Sequence, residues 1–273
     1  MTRFADGSSV FVKMATDERT ADWLRNEHRA LRLVGGRIGP EVLRWEDGDR
    51  PLLIATDLSD AYWPAATGET RWRPGDIDRL LAALDGLRSI EPSGDMGSVA
   101  DWPDAAWGRL VGSSVLVRAG LCSSMWLDRA GPVIAAVDER AQPGGECLVH
   151  GDVRSDNLCV LRDGQVRLVD WSASGIGHAA HDLALLLPTV RLEGGPRPAT
   201  VLSEPVELIA RLCGATVGRA VSRRPMPDWL RRVFLRLAAI DLQWLADVLA
   251  LEPPDGPMVN QLLDEASASD PSG

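Results

Sequence analysis

The sequence predicts an α+β protein, with a small strand-rich lobe over residues 1–57 and a larger, mainly helical lobe over residues 58–273. Three observations carry this prediction. Up to Thr56, short runs rich in β-branched and aromatic residues are punctuated by the turn pairs Asp6-Gly7 and Asp47-Gly48. Beyond Asp57 the apolar residues recur at helical spacing. Within that helical part a single short hairpin, with strands at 158–162 and 165–169 around Asp163-Gly164, marks a place where the chain doubles back.

The elements follow in order. Residues 3–5 and 8–13 form a hairpin about Asp6-Gly7. A helix runs from Thr20 to Val34 and stops at Gly35-Gly36, where a positive φ costs little. Val42–Trp45 and Leu52–Ala55 flank Glu46-Asp47-Gly48-Asp49-Arg50 as a second hairpin. Helices are expected at 75–90, 103–119 and 126–141, then at 181–190, 203–219, 227–250 and 257–267. Glu91–Gly97 and Glu193–Pro198, rich in Gly and Pro, read as loops.

Composition excludes several classes. The 273 residues are 45% hydrophobic and 25% charged, as in ordinary globular chains, and suffice for a sizeable core. A net charge of −10 argues against nucleic acid as a partner. The most apolar stretch, Leu230–Leu251, is interrupted by Arg231, Arg232, Arg236, Asp241, Gln243 and Asp247, so no membrane span is expected. No leader-like apolar run opens the chain, and Cys122, Cys147, Cys159 and Cys213 form no paired framework; free thiols in the cytoplasm are the expectation. The negative excess lies wholly beyond residue 56, where it either favours a cationic ligand or forms a solvated acidic surface.

The densest chemistry lies in Leu148-Val149-His150-Gly151-Asp152-Val153-Arg154-Ser155-Asp156-Asn157, followed by the hairpin and then Val169-Asp170-Trp171. Asp152 and Asn157 are five residues apart on a loop, and the hairpin returns Asp170 towards Asn157. Transfer of a phosphoryl group needs a carboxylate to orient and deprotonate the acceptor hydroxyl, and cations to offset charge on the phosphate oxygens. Asp152 suits the first task; Asn157 and Asp170 offer the hard oxygens that Mg²⁺ takes. These residues resemble the aminoglycoside phosphotransferase family, a small-molecule branch of the protein-kinase-like two-lobe fold. His150-Gly151-Asp152 with Asn157 is similar to its catalytic loop, and Asp170-Trp171 to its metal-binding Asp. The resemblance implies Asp152 as catalytic base, with His150 packed beneath the loop as support. Asp182, in His181-Asp182-Leu183-Ala184, is expected to cap a helix and to brace the loop. No Ala-Pro-Glu follows, which disfavours a protein substrate. A metallophosphoesterase built on His150, His178 and His181 would need further His-bearing segments that the sequence lacks.

Lys13 is the only lysine beside 28 arginines, and it ends the strand Val10-Phe11-Val12-Lys13. Glu27 lies on the apolar stripe Leu24, Leu31, Val34 of the following helix, and a buried carboxylate needs a cation; Lys13 is the natural one. The resemblance implies that Lys13, paired with Glu27, meets the nucleotide phosphates. It also implies a hinge at Leu52–Ser59, where the adenine bonds backbone groups around Ala55 to Leu58, those of Ala55, Asp57 and Leu58 being the candidates. Only twelve residues precede Lys13, so the strand and phosphate-covering loop that open the family's small lobe are expected to be missing.

The acceptor is expected among the C-terminal helices, with Asp241 and Trp244 as candidate contacts; a core salt bridge and a core tryptophan are the alternatives. The function expected is transfer of a γ-phosphoryl group from ATP or GTP, with Mg²⁺, to a hydroxyl of a small molecule. A missing phosphate cover would instead suit a catalytically impaired pseudokinase that only binds small molecules.

Overall fold

Alternating apolar residues and close turns place four antiparallel strands early in the chain: β1 Thr2–Arg3, β2 Ser9–Met14, β3 Val42–Glu46 and β4 Leu52–Thr56, in the order β1-β2-β4-β3. The structure is a computed structural model that describes residues 2–3, 9–66, 70–99, 103–142 and 144–259. The chain divides into two compact units, Met1–Asp101 with Pro143–Leu183, and Trp102–Gln142 with Ala184–Gly273.

In the first unit β2 pairs with β4 through Val10↔Thr56 to Met14↔Leu52, which sets Lys13 opposite Leu53. Pairing of β3 with β4 slips between Val42 and Arg44, so Leu43 bulges and is half exposed. The first hairpin is present in the pairs Thr2↔Val10 and Arg3↔Ser9, while its Asp6-Gly7 turn and residues 4–8 lie outside the described residues.

Helix α1 spans Glu18–Val34. It starts before Thr20 because Asp17 caps it: the carboxylate accepts from Thr20 N at 2.8 Å, and Thr20 Oγ1 accepts from Asp17 N at 3.0 Å. At its end only Gly36 takes a positive φ, of 74°; Gly35 stays extended. The helix buries Ala21, Leu24, Glu27, Ala30, Leu31 and Val34, the stripe that the periodicity predicts. After α2 (Asp76–Leu87), this unit resumes with β5 Cys147–Val149, β6 Leu158–Val160, β7 Val166–Leu168, a 3-10 turn at Trp171–Ala173, and β8 Gly175–Gly177. β6 and β7 form the expected hairpin, with Gly164 at φ 86° and Asp163 accepting from Gln165 N. The β5–β8 pair was not expected: Gly-Ile-Gly carries no strand signal, yet a side chain at Gly175 would meet the backbone of Val99 at 2.7 Å.

The second unit is helical: α3 Trp107–Val111, α4 Val115–Arg118, α5 Ser124–Arg140, α7 Pro198–Val201, α8 Val206–Ala220 and α9 Asp228–Val248. The division between units falls inside α6 (His181–Leu192). The single helix expected at 103–119 is two short ones. Asp138 sets the start of α3, since its Oδ2 accepts from Ala106 N and Trp107 N at 3.0 and 3.1 Å, and Gly112 ends it. Arg211 on α8 holds the other oxygen of Asp138 at 2.5 Å. Of the helix expected at 257–267, residues 257–259 are helical and those from 260 onward lie outside the described residues. Among the described residues no helix is long and apolar enough to cross a membrane, and all four cysteines are free.

Candidate active site

The first unit gathers most of the predicted residues. Lys13, on β2, donates to both Glu27 oxygens at 2.9 and 2.8 Å and to Asp170 Oδ1 at 3.3 Å, across 157 residues of sequence. Burial works against the ammonium, but Glu27 and Asp170 outweigh it and raise the pKa of Lys13, which stays charged. Burial raises Glu27 despite its lysine partner. At Asp170 burial is opposed by the Lys13 charge and by bonds from Ser172 and Lys13; together these hold its carboxyl below the usual range. A cavity of about 450 Å³ opens on this cluster, lined by Lys13, Met14, Thr20, Trp23, Glu27 and Asp170.

Asp152 and Asn157 meet in the loop before β6. Asn157 Nδ2 donates to Asp152 O and to Asp152 Oδ2, both at 3.0 Å, which fixes the Asp152 carboxylate. Val169 N donates to Asn157 O at 2.9 Å, so the hairpin closes directly under the pair, one residue before Asp170. Burial raises Asp152 above the ordinary aspartate value, against Arg154, which lies 3.7 Å from Oδ2 and is itself tied to Asp156. A raised carboxylate that is partly open to solvent is suited to taking a proton.

Beneath the loop, His150 is fully buried. Its Nδ1 accepts from Asp152 N at 3.2 Å, so Nε2 carries the proton and donates to Val169 O at 2.9 Å. Burial depresses it to about 4, so it is neutral, and its ring packs on Trp171 at 4.6 Å. Asp182 is the second residue of α6 rather than its cap; its oxygens accept from His150 N at 2.8 Å and Gly151 N at 2.9 Å. Gly151 has φ 81°, and a side chain there would meet Ala173 O at 2.4 Å, so the loop admits only glycine.

The oxygen donors suit a hard cation. With its amide nitrogen engaged by Asp152, Asn157 has Oδ1 to offer; Asp170 has the oxygen that Lys13 does not hold. Among the described residues no cluster of three His, Cys, Asp or Glu side chains forms a metal cage.

At the expected hinge, Ala55 is buried in β4. Asp57 does not present its carboxylate: it accepts from Ser9 Oγ at 2.5 Å, Ser59 N at 2.9 Å and Ser59 Oγ at 2.8 Å. Leu58 O accepts from Ala61 N and from Trp63 Nε1, both at 3.0 Å. Asp57 and Leu58 border a smaller cavity of about 160 Å³.

Asp241 and Trp244 belong to the second unit and sit in its core, each 1% exposed. Trp244 Nε1 donates to Leu202 O at 3.0 Å. Neither oxygen of Asp241 has a hydrogen-bond partner, and burial raises its pKa well above the ordinary value. Their apolar helix face is packed, which corrects the expectation that they face an acceptor. Two residues with a bearing on the site were not anticipated. Asn26 of α1 bonds the carbonyls of Ser172 and Ser174, and Arg167 of β7 bonds those of Gly36 and Arg37. A mid-helix asparagine and a buried arginine in a strand were the available signals.

Residues 3–204 match the model of the phosphotransferase enzyme family. A search of curated proteins finds no match. Among solved structures, the chain is similar to an aminoglycoside phosphotransferase from Alicyclobacillus acidocaldarius subsp. acidocaldarius DSM 446, at 14% identity and a TM-score of 0.54, over 97% of this chain and 89% of that one. It is also similar to aminoglycoside-3'-phosphotransferase of type VIII, at 20% identity and a TM-score of 0.42, over 88% and 91%. The first of these likenesses shows the fold.

Proposed function

Because this chain belongs to the phosphotransferase enzyme family and has the protein-kinase-like two-lobe fold, we propose that it transfers the γ-phosphoryl group of ATP to a hydroxyl of a small, preferably cationic, molecule. It is a small-molecule kinase by family; the donor, the acceptor class and the roles of individual residues are our reading. The observation that carries this reading is the contact of the chain's only lysine with Glu27 and Asp170 together. It joins the strand expected to meet the nucleotide with the residue expected to hold its metal.

In this reading residues 1–57 serve the nucleotide and residues 58–273 carry the catalytic loop and the acceptor. Lys13 offsets charge on the phosphates and is held in its charged form by its two carboxylates. Asn157 and Asp170 would hold Mg²⁺, which supplies charge neutralisation at the phosphate oxygens. Asp152 accepts the proton of the acceptor hydroxyl, whose oxygen bonds to the γ-phosphorus as the bond from phosphorus to the β–γ bridging oxygen breaks and ADP leaves. Asn157 fixes one oxygen of that carboxylate, and His150 and Asp182 hold the loop beneath it. A net charge of −10 supports a cationic acceptor. Four free thiols suit a reducing cytoplasm.

The test pairs two substitutions. Asp152→Asn should leave Mg-dependent nucleotide binding within about twofold while ADP release across a panel of hydroxyl acceptors falls by about 10²–10⁴. Lys13→Ala should weaken the binding itself. A wild-type chain that binds no nucleotide with Mg²⁺ by calorimetry would refute the reading, and equal loss of binding and turnover in Asp152→Asn would refute the division of roles.

A further inference from the structure

Asparagine is a poor helix former and is seldom selected for a helix interior on propensity alone. Asn26 lies within α1 directly before Glu27. Its Nδ2 donates to Ser172 O at 3.0 Å and Ser174 O at 2.8 Å, and its Oδ1 accepts from Arg29 at 3.1 Å. Only one orientation of the amide satisfies all three contacts, because a flip would set Oδ1 against two carbonyls and Nδ2 against a guanidinium. We propose that Asn26 is a positioning residue that sets Asp170 for its cation, an inference that rests on the function proposed above.

Asp170 has φ 63° and ψ 63°, a left-handed conformation that a residue other than glycine keeps only when its surroundings enforce it. The enforcement comes from both sides. Before Asp170, Arg167 on β7 donates to Gly36 O at 2.9 Å and Arg37 O at 2.6 Å, in the turn that follows α1. After it, Asn26 takes the carbonyls of Ser172 and Ser174. The Asp170 segment is thus bonded to α1 and its following turn at both flanks. The tie after Asp170 runs through a neutral amide whose partners are two backbone carbonyls and Arg29. Asn26 acts through Asp170, and its effect belongs to the metal-dependent part of nucleotide binding.

The test is Asn26→Asp, of equal size but with acceptors facing the two carbonyls, and Asn26→Ala as the milder change should Asn26→Asp not fold. ADP is titrated calorimetrically into each full-length protein with Mg²⁺ and again with EDTA, beside thermal melts. In at least one variant the Mg-dependent affinity should fall roughly tenfold, about 1.4 kcal/mol, while binding in EDTA stays as in the wild type. Wild-type Mg²⁺ dependence in both variants overturns the inference. So does an equal fall with and without Mg²⁺, which would mark Asn26 as merely structural. A wild-type protein with no Mg-dependent ADP binding removes the functional premise itself, and is told apart from the other two by the wild-type titration alone.

Discussion

A carboxylate buried on a helix face needs a cation, hydrogen-bond donors or a proton. Glu27 has the cation Lys13, and Asp182 has two backbone N–H donors, although burial still lifts it to about 6. Asp241 has neither, so it keeps its proton. The consequence for stability has a definite sign. An unfolded aspartate titrates near 3.9, and folded Asp241 titrates well above that. Between those values the folded chain keeps a proton that the unfolded chain has lost, so the contribution of Asp241 to stability is greatest at low pH and is lost as pH rises. One such proton contributes a slope of about 1.4 kcal/mol per pH unit. Urea melts of Asp241→Asn from about pH 4 to 7 should show less loss of stability with rising pH than the wild type. Parallel profiles would show that Asp241 is ionised in the fold. Its position on an apolar stripe was legible in the sequence; the lack of a partner was not, because a partner would have come from another element.

At the scale of elements, periodicity and local turns went far. The α1 stripe, the β6–β7 hairpin and the long α9 were all readable from neighbours within a few residues. The failures have a common cause. The α3 start depends on Asp138, 31 residues on, and the β5–β8 ladder joins glycine-rich chain to Cys147–Val149. The loop at 150–157 shows how tightly an element can depend on such contacts. Gly151 combines a positive φ with a carbonyl 2.4 Å from where a side chain would begin. Gly151→Ala should cost about 1–3 kcal/mol in backbone strain, and more if the Ala173 carbonyl cannot move. The Asp182 bonds to His150 N and Gly151 N would be disturbed, and turnover should fall further than stability alone explains. A variant with wild-type melting temperature and turnover would show that the loop has room to adjust.

Over the whole molecule, charge is the property with the clearest functional reach. The excess of −10 lies beyond residue 56, away from the neutral stretch that holds Lys13 and Glu27. If that field draws a cationic acceptor, raising salt from about 0.05 to 0.5 M should raise KM severalfold for a cationic acceptor and leave it nearly constant for a neutral hydroxyl of similar size. Equal salt responses would assign the charge to a solvated surface. The sequence by itself determined the α+β class, the Asp152–Asn157 spacing in the loop at 150–157, the returning hairpin that leads to Asp170, and the pairing of the sole lysine with Glu27. These rest on short spacings, on periodicity, on a buried carboxylate's need for a cation, and on the resemblance of the motif to a known family. Only the tertiary structure decided that Asp241 and Trp244 face a core, that Asp57 spends its carboxylate on serines, and that Asn26 reaches Ser172 and Ser174. Each of these depends on which atoms a distant segment brings near, and such proximity leaves no periodic trace along the chain.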